Sequence, residues 1–277
     1  MPSFQGAVYK PSSSGGATLT TTAISSVTAS TASSGGDITL AGASSVTARG
    51  ACWNTSPMPT LASGNFTSDG SGTGSFSSSI TGLNAGATYY VRAYATNASS
   101  TAYGDEKSFT TSLISIGATY QGGKVAYLLA SGDPGYDAST QHGLILTAGD
   151  LSSGIKWYNG SNVTTSTSTA FGTGSANTAA IILAQGAGSY AAQLCDDLDQ
   201  NGYTDWYLPS KDELNKINLS RASIGDGSLT AYYWSSSESS SSMAWQQNFA
   251  GTGTGPTTQV QKFKSIAVYK VRAVRSF

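Results

Sequence analysis

The chain has 277 residues, and at roughly 100 to 150 residues per ordinary domain that length points to two domains rather than one core. Charged residues make up only 10%, against roughly 25% in a usual soluble protein, so Ser, Thr, Gly and Asn must wet the surface. A net charge of -1 excludes the basic footprint of a nucleic-acid binder and leaves no polybasic run for an anionic membrane; no apolar run is long enough to span a bilayer.

Fifteen Tyr, eight Phe and five Trp supply more apolar area than a disordered chain carries, so the expectation is a folded, β-rich, extracellular or virion-type protein. Residues 1–22 are polar and broken by PSSSGG, a composition suited to an arm that orders on an assembly partner. The opening MPSFQGAVYKPSSSGG lacks the basic start, apolar stretch and cleavage site of a secretory signal. The expectation is either a mature form or a particle protein that leaves its cell without a signal, as at lysis, located on a virion or a bacterial cell surface.

Residues 23–111 read as a β-sandwich. Short β-prone runs (ISSVTAS, GDITLA, SVTARGACWN, GSFSSSI, TYYVRAYATN, KSFTT) alternate with Gly- and Ser-rich turns. In TYYVRAYATN, Tyr89, Val91, Ala93 and Ala95 alternate with Tyr90, Arg92, Tyr94 and Thr96, so one face packs inward and the other is wet. LNAGATYYVRAYATN, with Leu83, Gly86 and Tyr89 spaced as in a tyrosine corner, resembles the late strands of fibronectin type III domains. The resemblance implies an immunoglobulin-like sandwich serving as a spacer.

After a linker at 112–115 the texture changes. Residues 116–277 hold four of the five Trp and the sole His. SYAAQLCDDL places Tyr190, Leu194 and Leu198 at helical spacing behind a Ser189 cap, and SKDEL is a capping box in which Ser210 and Glu213 exchange hydrogen bonds after Pro209. YYWSSSE, MAWQQNF, TTQVQKF and VYKVRAVRSF read as strands. The order IGATYQGGKVAYLL, HGLIL, Trp157, SYAAQLCDDL, GYTDWYLPSKDEL, YWSSSE, AWQQNF, VRAVRSF resembles the α+β C-type-lectin-like domains that close many bacterial surface and phage tail proteins. That group includes the major paralogous domain and the collagen-like-protein C-terminal domain. In some relatives the late segment is the diversified ligand-contacting region, which implies a recognition role for residues 236–256.

Enzyme chemistry finds no foothold. His142 lies in HGLIL with no GxSxG elbow, and the acidic pairs are sequence neighbours that diverge around their elements. Formylglycine-generating enzymes share the lectin-like outline but act through cysteine, and Cys195 has no second thiol in its domain. Cys52 and Cys195 fall in different domains, which argues against a disulfide.

Asp197, Asp199, Asn201 and Asp205 offer oxygen donors around Gly202 as a calcium loop would, yet Leu208 stands where a bidentate Glu would close it. Calcium stays an open alternative, structural if bound. The animal-lectin EPN or QPD motif with WND is absent, so calcium-dependent sugar binding is not implied.

Residues 232–263 mix aromatic rings with amides and hydroxyls, a chemistry suited to glycans or protein epitopes. With Trp234 and Trp245 assigned to the core, the expected ligand contacts are Ser236, Glu238, Ser240, Ser242, Gln246 and Asn248. The sequence therefore reads as a non-enzymatic adhesion or recognition protein, a phage fibre or capsid decoration whose partner is a surface glycan or protein. The alternatives are a structural virion or filament subunit, self-associating through the same domains, and a bacterial surface adhesin.

Overall fold

A computed structural model describes residues 15–250 and 259–277. They are mostly antiparallel β-sheet with few helices and separate into two compact units that divide between Leu113 and Ile114. Residues 1–14 of the expected arm, and 251–256 of the expected recognition segment, lie outside the described residues.

The N-terminal unit is β-sandwich-like. One sheet orders β1 (Thr18–Thr21), β2 (Ala32–Leu40) and β4 (Gly74–Ile80). The other pairs β3 (Ala48–Asn54) with β5 (Thr88–Thr96), whose far side is shared by β6 (Thr101–Tyr103) and β7 (Lys107–Thr110). Both sheets feed one core, with Ala32 and Ile80 from the first meeting Ala51, Trp53, Tyr89 and Val91 from the second.

Gly36 is required by this closeness, since a Cβ there would come 2.7 Å from that of Ala93 and 2.8 Å from the Thr20 carbonyl. The Tyr89 hydroxyl accepts from the backbone N–H of Asn84 at 3.0 Å, Leu83 is buried, and Gly86 turns at φ 69°.

Two expectations change here. Thr18–Thr21, assigned by composition to the arm, is a strand registered against β2. ISSVTAS forms an isolated bridge at Ser25 rather than a strand. On β5 the inward set is as the alternation gives it, but Tyr94 on the opposite face is also buried, its hydroxyl donating to the Thr67 carbonyl at 2.7 Å.

The C-terminal unit holds a four-stranded sheet in the order β14 (Val274–Ser276), β10 (Gly143–Leu146), β9 (Gly123–Leu128), β8 (Thr119–Tyr120). A three-stranded sheet orders β11 (Tyr232–Ser240), β12 (Met243–Asn248) and β13 (Gln259–Phe263). Three helices accompany them: α1 (Gly174–Gln185), α2 (Ala191–Asp196) and α3 (Lys211–Ile224).

Helix α3 starts as its capping box dictates. The Ser210 hydroxyl accepts from Glu213 N–H at 3.2 Å, and the Glu213 carboxylate accepts from Ser210 N–H at 2.7 Å. Helix α2 begins after Tyr190, not Ser189, and buries Ala191, Ala192 and Cys195 in place of a leucine stripe. Helix α1 was not anticipated: its buried face includes Asn177 and Thr178, while Leu183 is 89% exposed.

Few charges are present and several are internal. Arg272 is 1% exposed; it donates to Asp150 at 2.6 Å, to Asp226 at 2.7 Å and to the Thr147 carbonyl at 2.7 Å. Buried Lys264 lies 4.5 Å from the centre of the Trp157 ring and donates to Glu238, to the Ser241 carbonyl at 2.8 Å and to the Val163 carbonyl at 3.1 Å. Each of these two cations meets a carboxylate and at least one backbone carbonyl, which makes its burial tolerable. Cys52 and Cys195 are buried and form no disulfide. Burial pushes the Cys52 thiol up to about 11 and Cys195 well above the ordinary thiol range.

Candidate functional site

The sheet β11–β12–β13 builds the site. Successive residues of a strand point to opposite faces, so its register decides which side chains share a surface. Tyr232 pairs with Asn248, Gln246 with Val260, and Ala244 with Lys262. Tyr232, Gln246, Asn248, Val260 and Lys262 therefore lie on one face, where Val268 and Tyr269 border a cleft of about 550 Å³. The opposite face is tied to the start of α3: the Lys211 ammonium sits 5.1 Å from the Trp245 ring centre, and the Gln259 amide donates to the Lys211 carbonyl at 2.6 Å.

Apolar and polar groups alternate around this cleft. Tyr269 packs edge-on against buried Trp234 with ring centres 4.8 Å apart, and the Tyr232 ring lies 5.9 Å from Tyr269, tilted by 49°. Tyr269 is thus held by an indole whose own N–H donates to the Ile155 carbonyl at 2.8 Å, and Tyr232 lies beside Tyr269. Tyr232 is 43% exposed and Val268 70%.

Gln246 is 1% exposed, and its side-chain oxygen has no hydrogen-bond partner among the described residues. A buried amide without a partner costs about 1 to 3 kcal/mol, so its presence beside a cleft is a chemical signal. Asn248 uses its side-chain oxygen to accept from Ala250 N–H at 2.7 Å.

The expected contact residues are distributed unevenly. Gln246 and Asn248 line the cleft. Ser240 and Ser242 lie at the other end of the β11–β12 hairpin, where the Ser240 hydroxyl accepts from Ser242 and Met243 N–H. Ser236 is buried and accepts from the Asn177 amide at 3.1 Å, and the Glu238 carboxylate is taken up by Lys264 and by Thr165 N–H at 2.8 Å.

The expected exposure of Ser236, Glu238 and Gln246 is therefore corrected. It assumed that Trp234 and Trp245 both point inward, but Trp245 is only half-buried while Gln246 is enclosed. Missed from the sequence were Tyr232, Val260, Lys262, Val268 and Tyr269. The period-2 pattern of TTQVQKF could have supplied Val260 and Lys262; the pair 268–269 comes from a segment without regular structure.

The calcium donors do not converge. Among the described residues no group of three His, Cys, Asp or Glu side chains is placed to hold a metal ion. Asp205 binds Arg275 through both carboxylate oxygens at 2.6 and 2.9 Å. Asp197 caps α2 and accepts from Gln193 at 2.8 Å, while Asn201 takes a left-handed turn at φ 57° with its amide directed to the Gly122 carbonyl. The DxDxNG spacing is that of a tight turn closed by the Gln200–Tyr203 bridge.

A second cavity, of about 400 Å³, is lined by His142, Phe171, Glu213, Ser276 and Phe277 among others. Its polar groups are already engaged. His142 Nδ1 lies 2.9 Å from the Phe277 carbonyl, and Glu213 accepts from Gly172 N–H at 3.1 Å. The Tyr207 hydroxyl bridges Ser276 at 3.0 Å and Glu213 at 3.5 Å, and burial pushes its ionisation above the usual tyrosine range.

No helix among the described residues is long and apolar enough to cross a membrane. No curated protein matches this chain. Among solved structures, a computer-based redesign of a β-sandwich protein is similar at 17% identity and TM-score 0.25, covering 34% of this chain and 92% of that one, a likeness too slight to bear on the fold. Residues 146–275, which include the whole cleft, match the family described as Lcl C-terminal domain, a C-terminal domain family of phage and bacteria; the match is consistent with a phage or bacterial surface or adhesion-type protein.

Proposed function

We propose that the chain is a non-enzymatic recognition protein of a phage particle or bacterial surface. Its C-terminal unit is a C-type-lectin-like head, its N-terminal unit a fibronectin type III-like spacer, and its first residues contact an assembly partner. One observation carries this reading: the face of β11–β13 gathers two tilted Tyr rings, an unpartnered Gln246 amide and the polar tips of Asn248 and Lys262 in a single cleft. Aromatic faces beside directional polar groups suit a surface glycan or protein epitope, and several copies on a particle would turn weak single sites into firm attachment.

The test is a cell-binding and glycan-array assay on the full chain, with Tyr232→Ala/Lys262→Ala as the comparison. Loss of binding by the double variant at an unchanged melting temperature supports the cleft; undiminished binding rules it out as the recognition face.

A second reading, a structural subunit, draws on β13. Among the described strands it pairs with β12 alone, and Phe263 on it is 57% exposed; such an edge invites another strand. Light scattering on the full chain separates the two, since ordered oligomers that dissolve on Val260→Lys favour assembly.

A further inference from the structure

Resting on the recognition reading, we infer that the cleft of β11–β13 takes a saccharide bearing an N-acetyl group. The argument begins with Gln246. Its amide is enclosed on the cleft floor with an oxygen that no group among the described residues satisfies, although Gln246 itself is paired with Trp234 on one side and Val260 on the other. A buried acceptor in that position is matched by an N–H or O–H donor on a ligand.

The other lining groups narrow the choice. Lys262 brings an ammonium with no ion pair or hydrogen bond among the described residues, and a cation donor of that kind calls for a carbonyl or hydroxyl oxygen. Val260 and Val268 add exposed methyl groups beside these polar atoms. A secondary amide carries an N–H and a C=O pointing in opposite directions, and an acetamido group adds a methyl. Gln246 satisfies the N–H, Lys262 the C=O, and the valines cover the methyl.

Tyr232 and Tyr269 then offer ring faces to the C–H side of a pyranose, the part of a sugar that behaves as apolar surface. A bare peptide amide would use the same two polar partners but leaves the tilted rings without a flat counterpart, and an acidic ligand would place its charge against the Gln246 oxygen. The N-acetylhexosamine is the occupant that gives a role to Gln246, to Lys262, to both valines and to both Tyr rings.

The test uses three disaccharides that share one linkage and differ only at C2: N,N′-diacetylchitobiose (acetamide), chitobiose (amine) and cellobiose (hydroxyl). Their affinities for the full chain are measured by titration calorimetry. The expectation is that the acetamide binds about tenfold more tightly than either of the others, the fold-change carried by one hydrogen bond of ordinary strength. In Gln246→Met, which keeps the side-chain shape and removes the unpartnered amide, that margin falls to about twofold or less with no loss of thermal stability.

Equal binding of the three sugars overturns the N-acetyl assignment and leaves the cleft as a recognition site. A margin that persists in Gln246→Met overturns the role given to this residue. Binding of none of them, with Tyr232→Ala/Lys262→Ala still abolishing cell attachment, overturns the saccharide assignment while the recognition reading stands. An N-acetylated peptide that binds as well as diacetylchitobiose overturns the choice of a sugar.

Discussion

The internal ion pairs determine how single side chains behave here. Burial pulls the Lys264 ammonium below the usual lysine range, with the Glu238 carboxylate acting against that fall. Lys264→Met leaves the Glu238 carboxylate enclosed with only Thr165 as donor, and the loss is about 3 to 5 kcal/mol in urea unfolding. Adding Glu238→Gln removes the stranded charge. The double variant is therefore expected to be more stable than the sum of the two single losses, and strict additivity would show that the pair is uncoupled. None of this was legible in the sequence. The SSSESSSS run has no apolar periodicity to mark Glu238 as enclosed, and its partner stands 26 residues away, just past the end of β13.

Elements were legible where local chemistry specifies them. The SKDEL capping box, the alternation of β5 and the turn of Leu83, Gly86 and Tyr89 each describe a local geometry, and the residues they name occupy it. Ser210→Ala removes the cap hydroxyl and costs about 1 kcal/mol, read as a lower midpoint in chemical unfolding; Ser210→Thr, which keeps an acceptor, is expected to recover most of it. Helix α1 escaped because its inward side includes Asn177 and Thr178: the Asn177 amide donates to the Ser168 carbonyl at 2.7 Å and the Thr178 hydroxyl to the Gly174 carbonyl at 2.9 Å, so polarity there marks a hydrogen-bonded interior. Strand β1 escaped for another reason. Thr18–Thr21 is stabilised by register against β2, and nothing in a polar four-residue run announces its pairing partner. The cleft was half legible, since Gln246 and Asn248 stand in the quoted segment but only the register of three strands shows which neighbours share their face.

At the scale of the whole molecule the two units differ in how their carboxylates are held. Burial acts upward on Asp150, but hydrogen bonds from Lys270, Arg272 and Tyr233 outweigh it; burial at Asp226 is likewise outweighed by Ser228 and Arg272, and Arg275 leads the lowering at Asp205. All three sit below the ordinary carboxylate range. Between the folded and unfolded values the unfolded chain binds more protons, so this stabilisation is complete above about pH 4 and is lost as pH falls through the lower folded values. Glu213 has the opposite sign, because burial raises it and the folded state keeps its proton longer. In the N-terminal unit Asp105 is also lowered, by Lys107, but that pair is exposed and contributes little. Acidification below pH 4 is therefore expected to lower the thermal transition of the C-terminal unit more than that of the N-terminal one. Tryptophan emission reads the difference, since Trp157, Trp206 and Trp234 are buried in the former and Trp53 in the latter. Equal shifts in both transitions would remove the ion pairs as the cause.

The two enclosed thiols carry a consequence for where this protein can be made and where it can work. Neither unit depends on a crosslink, and both sulfurs are kept in the unreactive protonated form by their surroundings. The fold of each unit therefore forms without thiol oxidation and is indifferent to the redox poise of its surroundings.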